Sequence, residues 1–271
     1  MTNYICRMAE ERYGIKADPE DAKRLEEYIL NNNCAGVTCD EVSGEGFAAS
    51  SFLSGTAAKF LTVNETYFFR EPVHFALLLE LLPSFNNSMI RICSAATAIG
   101  CEAYSIAMLI EAYNKTAEKP VSYHIDAFDI NAQVIETARE GVYNTRTLRD
   151  DGSCFRYLML PYLKDSDNKY HIDDALKKNI NFFVHNLMDE LYVEKYDIIF
   201  FRNAFIYFFP HKRERVLSNL SQVLKEEGIL ILGVSETASV QHVSLTQKHR
   251  RLLSGPGSSF DDVFYFYKTA I

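Results

Sequence analysis

The run Arg91-Ile-Cys-Ser-Ala-Ala-Thr-Ala-Ile-Gly-Cys-Glu-Ala-Tyr-Ser105 joins a β-type segment, Met89–Ser94, to a helical one, Glu102–Asn114, through a turn of small residues. A turn of that kind lets a ligand approach backbone N–H groups at a helix N-terminus. It lacks the GxGxxG spacing of a dinucleotide fingerprint, and small residues there serve tight packing equally well. Working downstream, Ser122–Ile130 reads as a strand and Ala132–Glu140 as a helix. Short apolar runs alternating with helical ones are the mark of βαβ units and a parallel sheet.

The run Ser122–Phe128 ends in Asp129, where nucleoside-binding α/β folds place an acid that accepts hydrogen bonds from ribose hydroxyls. The same residue also suits the N-cap of the helix that follows. Beyond a less regular stretch, Asn144–Asn181, strand-like runs recur at Ile180–Val184, Asp197–Phe201, Ile229–Val234 and Val263–Tyr267, with a helix over Lys212–Leu224. The last two runs have no long crossover helix between them, which predicts an antiparallel edge.

Upstream, Pro19–Asn31 spaces Ala22, Leu25, Tyr28 and Ile29 helically, and Asn31-Asn32-Asn33 ends the helix. A small helical domain follows from this. Residues Ser43–Gly55 read as a loop or link, and the expected division is 1–75 against 76–271.

The chain has 271 residues, 48% hydrophobic and 24% charged, which fits a globular α/β core with a small appended domain. Its net charge of −8 argues against a nucleic-acid partner, whose phosphates need a basic surface. No apolar run reaches the length of a membrane span, and Arg7, Glu10 and Glu11 stand where an export signal would be apolar. Cys6, Cys34, Cys39, Cys93, Cys101 and Cys154 form no CxxC pair, and the seven histidines, His124, His185 and His211 among them, form no ligand-spaced motif. Reduced thiols in a cytoplasmic protein, and no metal, are the expectation. A monomer is expected too, since no long exposed apolar stripe is evident.

Four separated segments stand in a telling order. They are Asn64-Glu-Thr-Tyr-Phe-Phe-Arg70; Arg91–Met108; Asp129 with Ala138-Arg-Glu-Gly-Val-Tyr143; and Asn186-Leu187, followed by Phe201-Arg-Asn-Ala-Phe-Ile-Tyr-Phe208 and Gly228–Glu236. Together they resemble the CheR-type chemotaxis-receptor methyltransferases from about residue 60 to the end. The resemblance implies a Rossmann-like α/β sheet that binds S-adenosyl-L-methionine, a small N-terminal helical domain, and a small β-subdomain inserted at about 155–181. It implies methyl transfer to glutamate side chains of a chemoreceptor or related signalling protein, leaving S-adenosyl-L-homocysteine.

On this resemblance Asn64, Thr66, Arg70, Ala95, Glu102, Asp129, Asn186, Leu187, Asn203 and Ala204 would hold the cofactor, and Arg70 and Tyr207 would position the reacting groups. A glutamate is already ionised at neutral pH, so attack on a sulfonium methyl needs alignment rather than a general base. Taken alone, Arg70 reads as an ion-pair or helix-end residue, Tyr207 as a core aromatic and Asn203 as a turn residue.

The chain departs from the family pattern. The usual Gly-Glu-Glu-Pro-Tyr-Ser stands as Gly100-Cys101-Glu102-Ala103-Tyr104-Ser105, a preceding Ser-Thr as Ala98-Ile99, Phe201 replaces a Cys and Val234 a His. Residues 1–60 carry six Lys and Arg against ten Asp and Glu, where relatives use a basic helix to dock on acidic receptors. The alternative is therefore a signalling module that binds the cofactor or its product with little or no transfer.

Overall fold

Strands β1 (Met89–Ala95) and β2 (Ser122–Asp129) pair in parallel over seven residues, from Met89 opposite Ser122 to Ala95 opposite Phe128. Five more strands complete this sheet: β6 (Ile180–Val184), β7 (Tyr196–Phe201), β8 (Leu224–Leu232), β9 (Leu245–Leu253) and β10 (Phe260–Lys268). Their order is β6-β2-β1-β7-β8-β10-β9. All pairings are parallel except those of β10, which runs antiparallel to β8 and β9 and makes the expected antiparallel edge. This computed structural model describes residues 2–31, 57–62, 64–85, 89–253 and 260–269. The expected link Ser43–Gly55, and Cys34 and Cys39, lie outside the described residues.

The central strands are apolar almost throughout because both faces are covered. On one face Ile90, Ile92, Ile125 and Ile198 pack under α3 (Pro72–Leu81), α4 (Cys101–Asn114) and α5 (Ala132–Glu140). On the other, Cys93, Ala95, Phe128, Ile199 and Phe201 meet α1 (Thr2–Met8), α2 (Pro19–Asn31) and α6 (Pro210–Val223). Alternate residues of a strand point to opposite faces, so Ile92 and Cys93 enter different cores. The N-terminal helices thus share a core with the sheet, and residue 75, the expected division, falls inside α3.

A second, three-stranded sheet has the order β3-β5-β4, from β3 (Val142–Tyr143), β4 (Leu163–Ser166) and β5 (Lys169–Ile172). Asp167 (φ 54°) and Asn168 (φ 59°) make the two-residue hairpin between β4 and β5, a left-handed turn that matches strand twist. The hairpin lies within the stretch 155–181, while β3 precedes it and Ile180 and Asn181 belong to β6. β9, Leu-Thr-Gln-Lys-His-Arg-Arg-Leu-Leu, has no counterpart in the sequence reading. As an edge strand it buries only Leu245 and Leu252, which leaves almost no apolar alternation to detect.

Candidate active site

From β1 the chain runs outward through β2 to β6, then returns to β7 on the other side of β1. That reversal opens a crevice at the carboxyl ends of β1 and β7, the place where open α/β sheets bind ligands. A cavity lies there, enclosing about 1010 Å³ of space that includes part of the open solvent at its mouth. Its wall contains Asn64, Thr66, Arg70, Glu102, Asp129, Asn186, Leu187, Asn203, Ala204 and Tyr207. Ala95 is the one predicted residue off the wall: it is buried in the core at the end of β1, and the wall begins at Ala96.

The turn after β1 is left-handed at Ala96 (φ 57°), Ala98 (φ 50°) and Gly100 (φ 85°). Asp129, at the end of the neighbouring strand β2, holds it. Its Oδ2 accepts the Ala98 N–H at 3.0 Å and its Oδ1 the Asn131 N–H at 3.0 Å. Burial raises the carboxyl's pKa, and these backbone donors only partly offset the rise. Each oxygen can accept a second bond, so Asp129 retains acceptor capacity for a ligand hydroxyl. The N-cap of α5 is Asn131, whose side chain accepts the Gln133 N–H, and not Asp129.

Glu102 lies in the first turn of α4. It accepts Ser94 Oγ–H at 2.7 Å and Arg202 Nη1–H at 3.0 Å, while burial raises its pKa. Cys101 and Ile99 are not part of the cavity wall. The Cys101 thiol is buried in the core, which raises its pKa, and the Ile99 carbonyl accepts Tyr143 O–H at 2.7 Å. Phe201 packs edge-on against Phe205 and Phe208, and Val234 is exposed; neither is on the wall. Of the substituted positions, Ala98 lines the wall, whereas Ile99, Cys101, Phe201 and Val234 do not.

Arg202, whose position in the Phe201–Phe208 run carries no signal of a role, ties the site together. It follows the last residue of β7, its side chain is 2% exposed, and its Nη2 donates to the Arg70 carbonyl and, at 3.2 Å, to Glu71 Oε2. Glu71 Oε1 accepts Asn203 Nδ2–H at 2.9 Å. Burial alone would raise the Glu71 pKa, but His74, Arg202 and Asn203 together hold the carboxyl well below the usual carboxylate range. His74, buried beside this pair, is lowered to about 4 by burial and by the Arg202 charge. Glu236, fully buried, accepts the N–H groups of Asn203, Gly233 and Ile206 and so joins the loops after β7 and β8.

Arg70 Nη1 donates to the Glu65 carbonyl at 2.8 Å, and its guanidinium lies 5.5 Å from the Tyr67 ring centre. Tyr207 is half-buried, and burial raises its phenol pKa, so it carries its proton at neutral pH. The Asn186 carboxamide is already engaged: Nδ2 donates to the Arg12 carbonyl and Oδ1 accepts the Met188 N–H. Asn64 interacts locally with Thr62. Tyr13 and Ile15 of the N-terminal segment, with Phe128, Ile130, His185 and Phe208, add apolar wall that sequence reasoning did not assign. His185 stands edge-on to Phe128 at 5.1 Å.

This donor set fits S-adenosyl-L-methionine. A buried and a largely buried carboxylate suit cationic groups and hydroxyls, a guanidinium suits a carboxylate, and an aromatic and aliphatic wall suits a purine. Among the described residues no cluster of His, Cys, Asp and Glu is arranged to hold a metal ion, and no helix is long and apolar enough to cross a membrane.

The family described as CheR methyltransferase, SAM binding domain, matches residues 64–251. The chain is 36% identical over 188 residues to a chemotaxis protein methyltransferase of Borreliella burgdorferi, covering 65% of each chain. It is 36% identical over 203 residues to that of Vibrio parahaemolyticus, covering 73% of this chain and 72% of the relative. Identity is 35% over 203 residues to chemotaxis protein methyltransferase 1 of Vibrio cholerae, with the same coverage. Matched over most of its length, with the cavity inside the fold that the match implies, the chain belongs to the CheR methyltransferase family.

Proposed function

We propose that the protein transfers the methyl group of S-adenosyl-L-methionine to glutamate side chains of a chemoreceptor or related signalling protein, acting as a cytoplasmic monomer. The observation that carries this is the convergence of residues from sequence-distant segments, Asn64–Arg70, Ala96–Ala98 with Glu102, Asp129, Asn186-Leu187 and Arg202–Tyr207, on one cavity at the switch point of the sheet. Bound there, the cofactor supplies a methyl group on a sulfonium, an electrophile that a carboxylate attacks directly.

The chain's own residues then have only to align and shield. Glu102 and Asp129 present carboxylates on the wall nearest the β1 turn. Arg70 offers guanidinium donors to a carboxylate, either of the acceptor glutamate or of the cofactor's amino-acid end. Tyr207, kept protonated, offers an O–H donor from the loop after β7. No residue need remove a proton, because the acceptor carboxyl is ionised well below neutral pH.

The binding-only alternative is not favoured, since Cys101 and Ile99, two of its grounds, lie off the cavity wall. Calorimetric titration with S-adenosyl-L-methionine and S-adenosyl-L-homocysteine is the first test, and micromolar binding corresponds to about 8 kcal/mol. Absence of binding to a folded sample would overturn the proposal. Transfer is then read as base-labile methyl esters on receptor signalling fragments. Arg70→Ala is expected to reduce that transfer more than it reduces cofactor affinity, and equal losses would remove Arg70 from the reaction centre.

A further inference from the structure

Arg70 enters the cavity from a backbone that L-residues seldom adopt. Phe69 (φ 53°) and Glu71 (φ 56°), the residues on either side of it, are both left-handed. Each such residue is strained and persists only where the surroundings over-determine it. Three side-chain ties hold this turn, beside the backbone bonds from Phe68 N–H to the Thr147 carbonyl and from His74 N–H to the Glu71 carbonyl. The Phe69 N–H donates to Ser105 Oγ at 2.9 Å; the Arg70 carbonyl accepts Arg202 Nη2–H; and the Glu71 carboxylate is gripped by Arg202, Asn203, His74 and the Val234 N–H. Arg202 takes part in two of the three, and with its other terminal nitrogen it binds Glu102 on the far side of the crevice. Its guanidinium also lies 5.5 Å from the Phe75 ring centre, within α3.

We infer that Arg202 is a positioning residue: it clamps the Phe69–Glu71 turn so that Arg70 faces the cavity, and links that placement to Glu102. The inference rests on the cofactor reading above only for its functional consequence. A planar fork of donors can bridge Glu102, Glu71 and a carbonyl at once, whereas an ammonium is a single point of charge. Arg202→Lys therefore retains the buried charge and loses the bridge.

The first measurement uses the full chain without ligand. In Arg202→Lys, amide hydrogen exchange at Phe68 and Phe69 is expected to accelerate about tenfold beyond any change in strand β1, which separates a local opening from global loss of stability. Unchanged exchange in a folded variant would overturn the clamp. The second measurement is calorimetric titration with S-adenosyl-L-homocysteine, where Arg202→Lys is expected to weaken binding about tenfold. A loosened turn with unaltered affinity would reduce Arg202 to a structural role and defeat the inference.

Should Arg202→Lys not fold, Ser105→Ala loosens the same turn from α4 without touching the cavity wall. It is expected to weaken S-adenosyl-L-homocysteine binding as well, and full affinity in that variant would count against the inference. Failure of the wild-type chain to bind the compound would sink the cofactor reading instead, while the exchange measurement still decides whether Arg202 holds the turn.

Discussion

Both oxygens of the Asp129 carboxylate accept backbone N–H groups, so truncation there leaves two buried donors without acceptors. Asp129→Ala is expected to lower stability by about 2 kcal/mol in denaturant unfolding and to weaken S-adenosyl-L-homocysteine binding in calorimetry. Intact affinity would show that the residue serves the fold alone. His74 makes a pH-dependent contribution. The folded chain holds it neutral down to about pH 4, while the unfolded chain takes up a proton near the ordinary 6.5. The unfolded state therefore binds more protons between those values, and stability falls as pH drops through that window, by on the order of 3 kcal/mol when complete. Glu102, Asp129 and Glu236, whose pKa values are raised by burial, act in the opposite sense once pH approaches the carboxylate range. Urea midpoints measured at pH 7 and pH 5 should thus differ less in His74→Gln than in the wild type, and identical differences would contradict a neutral buried imidazole.

At the scale of elements, the segment after α1 decides how the N-terminal helices reach the site. Gly14 ends the helical run at φ 69°, and its carbonyl accepts the Phe209 N–H at 2.9 Å. The next residues continue the link: Ile15 bridges Phe208, and the Lys16 N–H donates to the Tyr207 carbonyl at 2.8 Å. A Cβ on Gly14 would stand 2.6 Å from Met188 Sδ and require an unfavourable backbone besides. Gly14→Ala is expected to cost at least about 1 kcal/mol, seen as a lower thermal midpoint, and an unchanged midpoint would mean that the junction relaxes freely. The βαβ elements were legible because β1 and β2 are short apolar runs bounded by turn residues. β9 was not, because its side chains face solvent, and β3 was not, because two residues carry no periodicity.

For the molecule as a whole, the two faces of the sheet depend on chain segments far apart in sequence. Ile5, Met8, Leu25 and Ile29 lie in the same core as Ile199, Leu230 and Phe266, and Tyr13 and Ile15 form part of the cavity wall. A chain beginning at residue 57 is therefore expected to bind a hydrophobic dye strongly and to lose most of its affinity for S-adenosyl-L-homocysteine. Retention of both native dye response and affinity would show that the N-terminal helices are dispensable to the site.

The sequence by itself determined the α/β class, the parallel strands with an antiparallel edge, the family, and a set of candidate residues of which all but Ala95 reach one cavity wall. It did so because strand and turn signals are local and because the motif segments keep their order. Only the tertiary structure decided which of those residues remain available to a ligand. The Asn186 carboxamide is spent on Arg12 and Met188, Asp129 shares its oxygens with the β1 turn, and Cys101 points into the core. The central place of Arg202 was likewise invisible, because its partners Glu71, Glu102 and the Arg70 carbonyl lie a hundred or more residues away in sequence and meet it only when β7 is laid beside β1. Hydrogen-bond partners of buried charges are set by packing geometry, which no local pattern records.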